Sequence, residues 1–539
     1  MIQVAIIDEK NPSLHSSIIY ETNILIFFIN KTEMLFKISS ASLLGVDAFL
    51  VEVEVDITNG IPSFVTVGLP DTVIRESRER VKAALKNCGY EFPSRKIIIN
   101  LAPADIKKEG SSFDLPICLG LLAHLDLFPA ESLGQFLFLG EVALDGGLKP
   151  AKGTLSAAVL AQEKGFSGVV IPKANEKEAA LVPGLNIYAV ENLFQVVTLL
   201  MNPRSVAPSK YKINDLLQEP QHNIDFKDIK GQQHAKRALE VASAGGHNLL
   251  MVGPPGAGKT MLARRLPTIL PEMTFDEIID VTRIYSAAGL LRNTGIIGER
   301  PFRSPHHTIT LPGLIGGGVI PRVGEVSLAH NGILFLDELS EFNKHVLEGL
   351  RQPLEDGEVT VSRASMSLTF PSRFILVAAM NPYENAPSGY DTGEQGYSNF
   401  RKDRYYSKIS SPLLDRIDIQ VEVPRVEFRD MIKDHTGESS KDIRARVHQA
   451  RKIQLNRFKG KDFFFNAHMD TKEIKLFCRI DDDGKKLLEM AVNRLGFSAR
   501  AYTRVLKVAR SIADLEGKEK ISSQHLSEAI QYRMMDKYF

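Results

Sequence analysis

The run that most constrains this chain is a glycine-rich loop set between an apolar strand and a helical pattern. Leu249-Leu250-Met251-Val252 leads directly into Gly253-Pro254-Pro255-Gly256-Ala257-Gly258-Lys259-Thr260, and Met261 to Leu266 follow with helical spacing. A G-x-x-x-x-G-K-T sequence in that context reads as a phosphate-binding loop. The chemistry calls for these residue types. Glycines let successive backbone N–H groups turn toward one anion, and the start of the helix adds a partial positive charge. Lys259 would set its ammonium at the β- and γ-phosphates of ATP, and Thr260 would offer a hydroxyl to Mg2+. A strand–loop–helix unit of this kind belongs to a sheet packed between helices, so the fold class is α/β.

Such a site needs acids at the end of a neighbouring strand, and Ile333-Leu334-Phe335-Leu336-Asp337-Glu338 supplies four apolar residues followed by two carboxylates. Asp337 is placed to hold Mg2+ through water, and Glu338 to polarise the attacking water. A further strand, Phe374 to Ala379, runs into Met380-Asn381-Pro382. Asn381 can orient that water from the tip of the strand; its other reading is a turn-former before proline. Near the end of the core, Ser411-Pro412-Leu413-Leu414-Asp415-Arg416-Ile417-Asp418 carries an arginine. From the sequence alone Arg416 is equally an arginine finger supplied to a neighbouring subunit and a structural ion pair with Asp415 or Asp418.

Around this core the chain divides further. At 539 residues it is too long for one ordinary domain, and three fit. Residues 50–56 alternate as a half-buried strand, Arg75 to Asn87 has the spacing of an amphipathic helix stopped by Cys88-Gly89, and Ile97 to Leu101 is a second strand. Phe113 to Leu125 reads as a buried helix, Ser156 to Lys164 as another helix and Gly168 to Pro172 as a strand. This gives an α/β domain over 34–201 and a linker over 202–224. The ATPase core spans 225–425. Over 426–539 the windows Asp442–Phe458, Gly484–Leu495 and Ala499–Leu515 repeat apolar residues at helical steps. Met34 reads as the functional start, leaving 1–33 as an extension outside the fold.

These elements in this order resemble an AAA+ ATPase of the magnesium-chelatase-like branch. Two stretches narrow the resemblance: Arg300-Pro301-Phe302-Arg303-Ser304-Pro305-His306-His307-Thr308, and Ser411 to Asp418. From about Met34 to its end the chain is similar to the YifB/ComM family. The resemblance implies a Lon-protease-like α/β domain (of the ribosomal-S5 type), a chelatase-type core with a parallel sheet between helices, and a C-terminal helical lid. It makes Arg416 the arginine finger. It makes Arg500, in Phe497-Ser498-Ala499-Arg500-Ala501, the lid arginine that contacts the γ-phosphate. It further implies a hexameric DNA helicase that promotes branch migration in natural transformation.

The His306–His307 pair has no further ligands close by in sequence, so it reads as a loop facing a central pore or a neighbour rather than as a metal site. The segment Glu355 to Thr369 resembles a hairpin that reaches a threaded strand, with Arg363 a candidate DNA contact. Family members carry a cysteine-rich insert after the Asn-Pro step; here Tyr383 and Asn385 stand at those positions, and the insert to Tyr406 has no cysteine. In the N-terminal domain, Lys108-Glu109-Gly110-Ser111-Ser112-Phe113-Asp114 resembles the stretch around the Lon nucleophile, and Gly146-Gly147-Leu148-Lys149 the stretch around its lysine. Ser112 is followed by bulky Phe113, and the lysine register is split between Lys149 and Lys152. The expectation is therefore a retained fold without peptidase activity.

Charge and composition set the remaining expectations. Hydrophobic residues make up 44% and charged residues 24%, which excludes a disordered chain. The apolar stretch Asn23 to Asn30 is far short of the roughly 20 residues of a membrane span. Cys88, Cys118 and Cys478 are too scattered for a disulfide framework, so the expected location is cytoplasmic with no membrane contact. The formal net charge is +1, yet residues 426–539 hold 24 Lys plus Arg against 17 Asp plus Glu, a local +7. That basic segment fits a nucleic-acid or phosphate contact, and equally a solvated helical face; the family resemblance makes single-stranded or branched DNA the expected partner. A chelatase-like or chaperone- or protease-like remodeller acting on a protein partner at the N-terminal domain is the alternative.

Overall fold

The computed structural model describes residues 34–209, 211, 223–291, 295–318, 321–363, 366–382, 409–426, 437–461 and 463–535. The expectations for residues 1–33 and for the insert 383–406 lie outside the described residues. Residues 34–211 form the body of one compact unit, and residues 223–288 and 296–535 form the other.

The first unit is built on two sheets. Strands β1 (Met34–Leu44) and β2 (Asp47–Thr58) make a long hairpin, and β3 (Ser63–Val67) and β4 (Lys96–Ala102) complete a sheet of order β1-β2-β4-β3. The alternation read in β2 is the cause: Val51, Val53, Val55 and Ile57 are buried, while Glu52, Glu54 and Asp56 are partly exposed. Helix α1 (Thr72–Asn87) starts where the Asp71 carboxylate accepts from Ile74 N at 2.8 Å, and it buries Ile74, Val81, Ala84 and Leu85. Helix α2 (Asp114–Ala123) is buried on every side, as its unbroken apolar composition requires. Strands β5 (Phe136–Phe138), β6 (Gly168–Pro172) and β7 (Asn186–Val190) form a parallel sheet with α3 (Thr154–Glu163) and α4 (Leu193–Met201) alongside in sequence.

The second unit opens with α5 (Gln233–Gly245), then β8 (Leu249–Val252), α6 (Lys259–Arg265) and α7 (Phe275–Ala288). Strands β9 (Phe302–Arg303), β10 (Ile333–Leu336), β11 (Glu358–Arg363), β12 (Met366–Pro371), β13 (Ile375–Met380) and β14 (Ile419–Glu422) follow. Five of these seven strands make an all-parallel sheet of order β9-β10-β13-β8-β14, while β11 and β12 pair separately as an antiparallel hairpin. The inner strands are buried on both faces, which is why they read as apolar runs without alternation.

The C-terminal region is helical: α8 (Ser440–Arg457), α9 (Asp482–Leu495), α10 (Ala499–Leu515) and α11 (Ser523–Gln531), capped at their starts by Ser439, Asp481, Ser498 and Ser522. These helices share one apolar core with the sheet. Leu249, Val421 and Ile443 lie in the same buried cluster as Val508, Ile512 and Leu526. A buried charge cluster adds to the seam. Glu277 on α7 receives Arg300 at 2.9 Å and Arg451 of α8 at 3.1 Å, and all three side chains are almost fully buried.

Burial alone would raise the Glu277 pKa, but the two guanidiniums outweigh it and hold the carboxyl below its ordinary value. Its contribution to stability is therefore present above the ordinary glutamate pKa of about 4.3 and lost as pH falls below that range. Glu277→Ala leaves two buried guanidiniums without their acid. It should destabilise the second unit by about 3–5 kcal/mol, read by denaturant unfolding of the full chain at neutral pH. The difference from the parent should shrink as the pH is lowered.

Candidate active site

The loop Gly253 to Thr260 leaves the carboxyl end of β8 beside β13, whose last carbonyl, Met380 O, accepts from Gly253 N at 3.2 Å. Gly258 ends the loop at φ +94°, a left-handed turn that an L side chain rarely adopts, and caps α6. Lys259 folds back over the loop: its Nζ donates to Gly253 O at 2.6 Å, Pro254 O at 3.0 Å and Asn381 Oδ1 at 3.0 Å. Burial lowers its pKa against the opposing pull of Asp337 and Glu338. Asn381, one residue past β13, is thus brought to the lysine. Thr260 Oγ1 donates to Asp337 Oδ2 at 2.7 Å, joining the start of α6 to the end of β10. This hydroxyl–carboxylate pair is a set of hard oxygen donors, the chemistry that suits Mg2+.

Glu338 follows with φ +53°, a left-handed backbone that a non-glycine residue holds at a cost, and its carboxylate is 58% exposed. His307 Nδ1 stands 3.8 Å from Glu338 Oε2. The strand register explains the approach. Phe302 and Arg303 of β9 pair with Ile333 and Leu334 of β10, so the chain beyond Arg303 runs beside the acidic pair. His306 stacks near His307, with ring centroids 4.0 Å apart, and bonds Thr308 Oγ1 at 2.9 Å. Within one chain His307 therefore faces its own Glu338. The sequence marked this stretch without indicating that contact.

The arginines lie elsewhere. Arg416 is paired neither with Asp415 nor with Asp418: its Nη2 meets the Glu355 carboxylate and its Nη1 donates to Pro412 O. Asp418 is taken by Arg504 and by His247, the latter at 3.4 Å. Arg500, at the start of α10, also approaches Glu355, at 3.8 Å. Arg416 O accepts from Asn248 Nδ2 at 2.9 Å, which fixes Arg416 at the amino end of β8. The phosphate loop leaves the opposite end, beyond the four residues of β8, roughly 13 Å of strand away. The chain thus carries its loop at the carboxyl end of the strands and Arg416 at the amino end.

Comparison with known proteins shows the family. Residues 225–431 match the family described as Magnesium chelatase, subunit ChlI, and 437–533 match its C-terminal family. Residues 53–175 match Subunit ChlI of Mg-chelatase. The competence protein ComM of Haemophilus influenzae is 45% identical over 500 residues, covering 92% of this chain and 97% of that protein. The protein YifB of Escherichia coli is 41% identical over 502 residues, 93% and 97% of the two chains. The chain belongs to the YifB/ComM family. The magnesium-chelatase 38 kDa subunit of Rhodobacter capsulatus is a more distant relative, 24% identical over 332 residues, 56% of this chain and 84% of that one.

In this YifB/ComM chain the other marked residues are placed as follows. The hairpin β11–β12 buries Val359, Val361, Leu368 and Phe370 on one face. On the other face Thr360 meets Thr369 at 3.0 Å and Ser362 meets Ser367 at 2.9 Å, a ladder of paired hydroxyls. Arg363 is exposed beyond them, with Nε donating to Gly318 O at 3.1 Å. In the N-terminal unit Ser111 Oγ bonds Glu141, and Gly140 N donates to Ser112 O at 3.0 Å. Lys149 lies exposed on a short strand, register partner of Glu141. Asp114 is gripped by Arg80 at 2.8 Å, and burial pushes its pKa up to about 6 against that pull. Among the described residues no helix is long and apolar enough to cross a membrane.

Proposed function

We propose that this YifB/ComM chain is an ATP-hydrolysing motor that assembles into a ring, six-membered as the family resemblance implies. In that ring it moves along single-stranded or branched DNA in the cytoplasm, promoting branch migration in recombination or natural transformation. One observation carries the ATPase reading: Lys259, the Thr260–Asp337 pair, Asn381 and Glu338 converge on one loop, while Arg416 is tied at the opposite end of the strands. Gly253, Pro254, Pro255, Gly256, Ala257 and Gly258 wrap the phosphates, and the Lys259 ammonium neutralises the β- and γ-groups. Thr260 and Asp337 would hold Mg2+, which would supply positive charge beside the transferring group. Glu338 accepts a proton from the attacking water, and Asn381 orients that water. Arg416 and Arg500 reach the γ-phosphate held by a second copy.

The DNA part of the reading draws on the name of the Haemophilus influenzae relative, a competence protein, together with the hydroxyl ladder, Arg363 and the basic segment 426–539. Hydroxyls and arginines suit a phosphodiester backbone read without base contacts. The test is the ATPase rate of the purified protein with and without single-stranded and branched DNA. Stimulation should fall steeply between low and moderate salt, because each neutralised phosphate adds roughly 0.7 to the log–log slope on single strands. An ATPase indifferent to DNA but raised by a protein bound to the N-terminal unit would favour the remodelling alternative.

Lys259→Ala should weaken binding of a fluorescent ATP analogue by about 10- to 100-fold or more, the worth of a lost charge-assisted contact. Retained affinity would remove this lysine from the phosphate site.

A further inference from the structure

We propose that Glu355 is a positioning residue that withholds Arg416 and Arg500 from the neighbouring subunit until the β11–β12 hairpin is engaged. The inference rests on the reading of Arg416 as an arginine acting across the subunit boundary. Its ground is a convergence that the sequence does not suggest: one carboxylate, from residue 355, holds two arginines from distant parts of the chain.

The contact is suited to exchange. Glu355 is about half exposed, so solvent screens its attraction for the guanidiniums. Arg416, in contrast, is only 7% exposed, and its buried Nε has no hydrogen-bond partner among the described residues. Burial and the neighbouring Arg500, Arg504 and Arg351 all press against its charge, and Glu355 is the acid opposing them. A phosphoryl group offers three oxygens where the carboxylate offers two, so it can satisfy the fork of Arg416 and still receive Arg500. A guanidinium already held by Glu355 is not free to do so, and the two anions therefore compete for the same pair of cations.

The position of Glu355 ties this competition to the hairpin. It lies in the short helix Arg351–Asp356, which ends at Gly357 with φ +70° and turns at once into β11. Gly357 O accepts from Ser372 N at 2.8 Å, closing the base of the hairpin against the same turn. Displacement of the hairpin by a strand lying on its hydroxyl face is thus carried to the Glu355 backbone two residues away. The outcome is release of the arginines, so that hydrolysis follows engagement of DNA.

The experiment compares the full-length parent with Glu355→Gln, Glu355→Asp, Arg416→Ala and the double variant Glu355→Gln/Arg416→Ala. kcat and KM for ATP are measured with and without a single-stranded oligonucleotide. Glu355→Gln should raise the DNA-free kcat about two- to fivefold, the shift an exposed ion pair supports, with KM unchanged. Its ratio of stimulated to basal rate should fall toward one. Glu355→Asp, which keeps the charge, should behave as the parent, and the double variant should be as slow as Arg416→Ala. A Glu355→Gln protein with the parent's basal rate and stimulation would overturn the proposal while leaving the finger intact. So would one as slow as Arg416→Ala with its stimulation ratio kept, since Glu355 would then only prop Arg416 in place. An Arg416→Ala protein of undiminished ATPase would remove the finger itself, whatever Glu355 does.

Discussion

Arg416→Ala protein should bind ATP as the parent does and hydrolyse it about 10³-fold more slowly, or worse, as expected for loss of an arginine acting on the transferring phosphoryl group. The parent's advantage should appear only in the assembled ring, because Arg416 sits at the amino end of β8, the end opposite its own phosphate loop. Mixing supplies the decisive control. Lys259→Ala subunits bind ATP poorly but still carry Arg416, whereas Arg416→Ala subunits hold ATP but lack the arginine. Where the two alternate, an intact nucleotide site faces an intact arginine, and part of the ATPase activity should return. Two inactive variants that stay inactive when mixed, although they co-assemble, would place Arg416 in a structural role within its own subunit. Loss of the buried Arg416 side chain also has a structural cost, so melting temperatures of the variant and the parent belong beside the rates.

Glu338→Gln separates binding from chemistry in the other direction. The amide keeps the size of the side chain and loses the base, so ATP affinity should be retained while turnover falls by about 10²- to 10⁴-fold. The left-handed backbone at Glu338 is independent of the side chain's charge, so the substitution should not disturb the loop. Trapped ATP-bound rings, visible as a stable large species on sizing columns, are the expected by-product. Parental hydrolysis in Glu338→Gln would assign the base to another group. Asp337→Asn should differ in kind, weakening Mg2+-dependent nucleotide binding, since Asp337 holds the Thr260 hydroxyl at 2.7 Å.

Much of this site was legible because its chemistry is local. Lys259 and Thr260 follow their glycines directly, and Asp337 and Glu338 end an apolar run that can only be a buried strand. Even Asn381 followed from its place at a strand tip, although its bond to Lys259 spans more than a hundred residues. The contacts that escaped join side chains far apart in the sequence. Nothing in the short polar helix around Glu355 indicates that it faces two arginines, and His307 meets Glu338 only because β9 pairs with β10. The fold was uneven in the same way. The alternation of β2 was plain, whereas its partner β1 was missed: three serines interrupt its apolar pattern, and buried Ser40 is tolerated because Phe138 O accepts its hydroxyl at 2.9 Å. Helix α1 begins three residues before the start read from periodicity, because the Asp71 cap, and not the first charged turn, sets it.

The apolar core that the C-terminal helices share with the parallel sheet bears on which parts of this chain can exist alone. Ile443, Val508, Ile512 and Leu526 cover the same interior as Leu249 and Val421. A truncation ending before Ser439 would therefore strip one wall from the ATPase sheet and expose the apolar residues around the phosphate loop to water. The shortest piece expected to keep this sheet folded is then the whole span from Phe226 to Tyr532, whose residues close the same interior at its two ends.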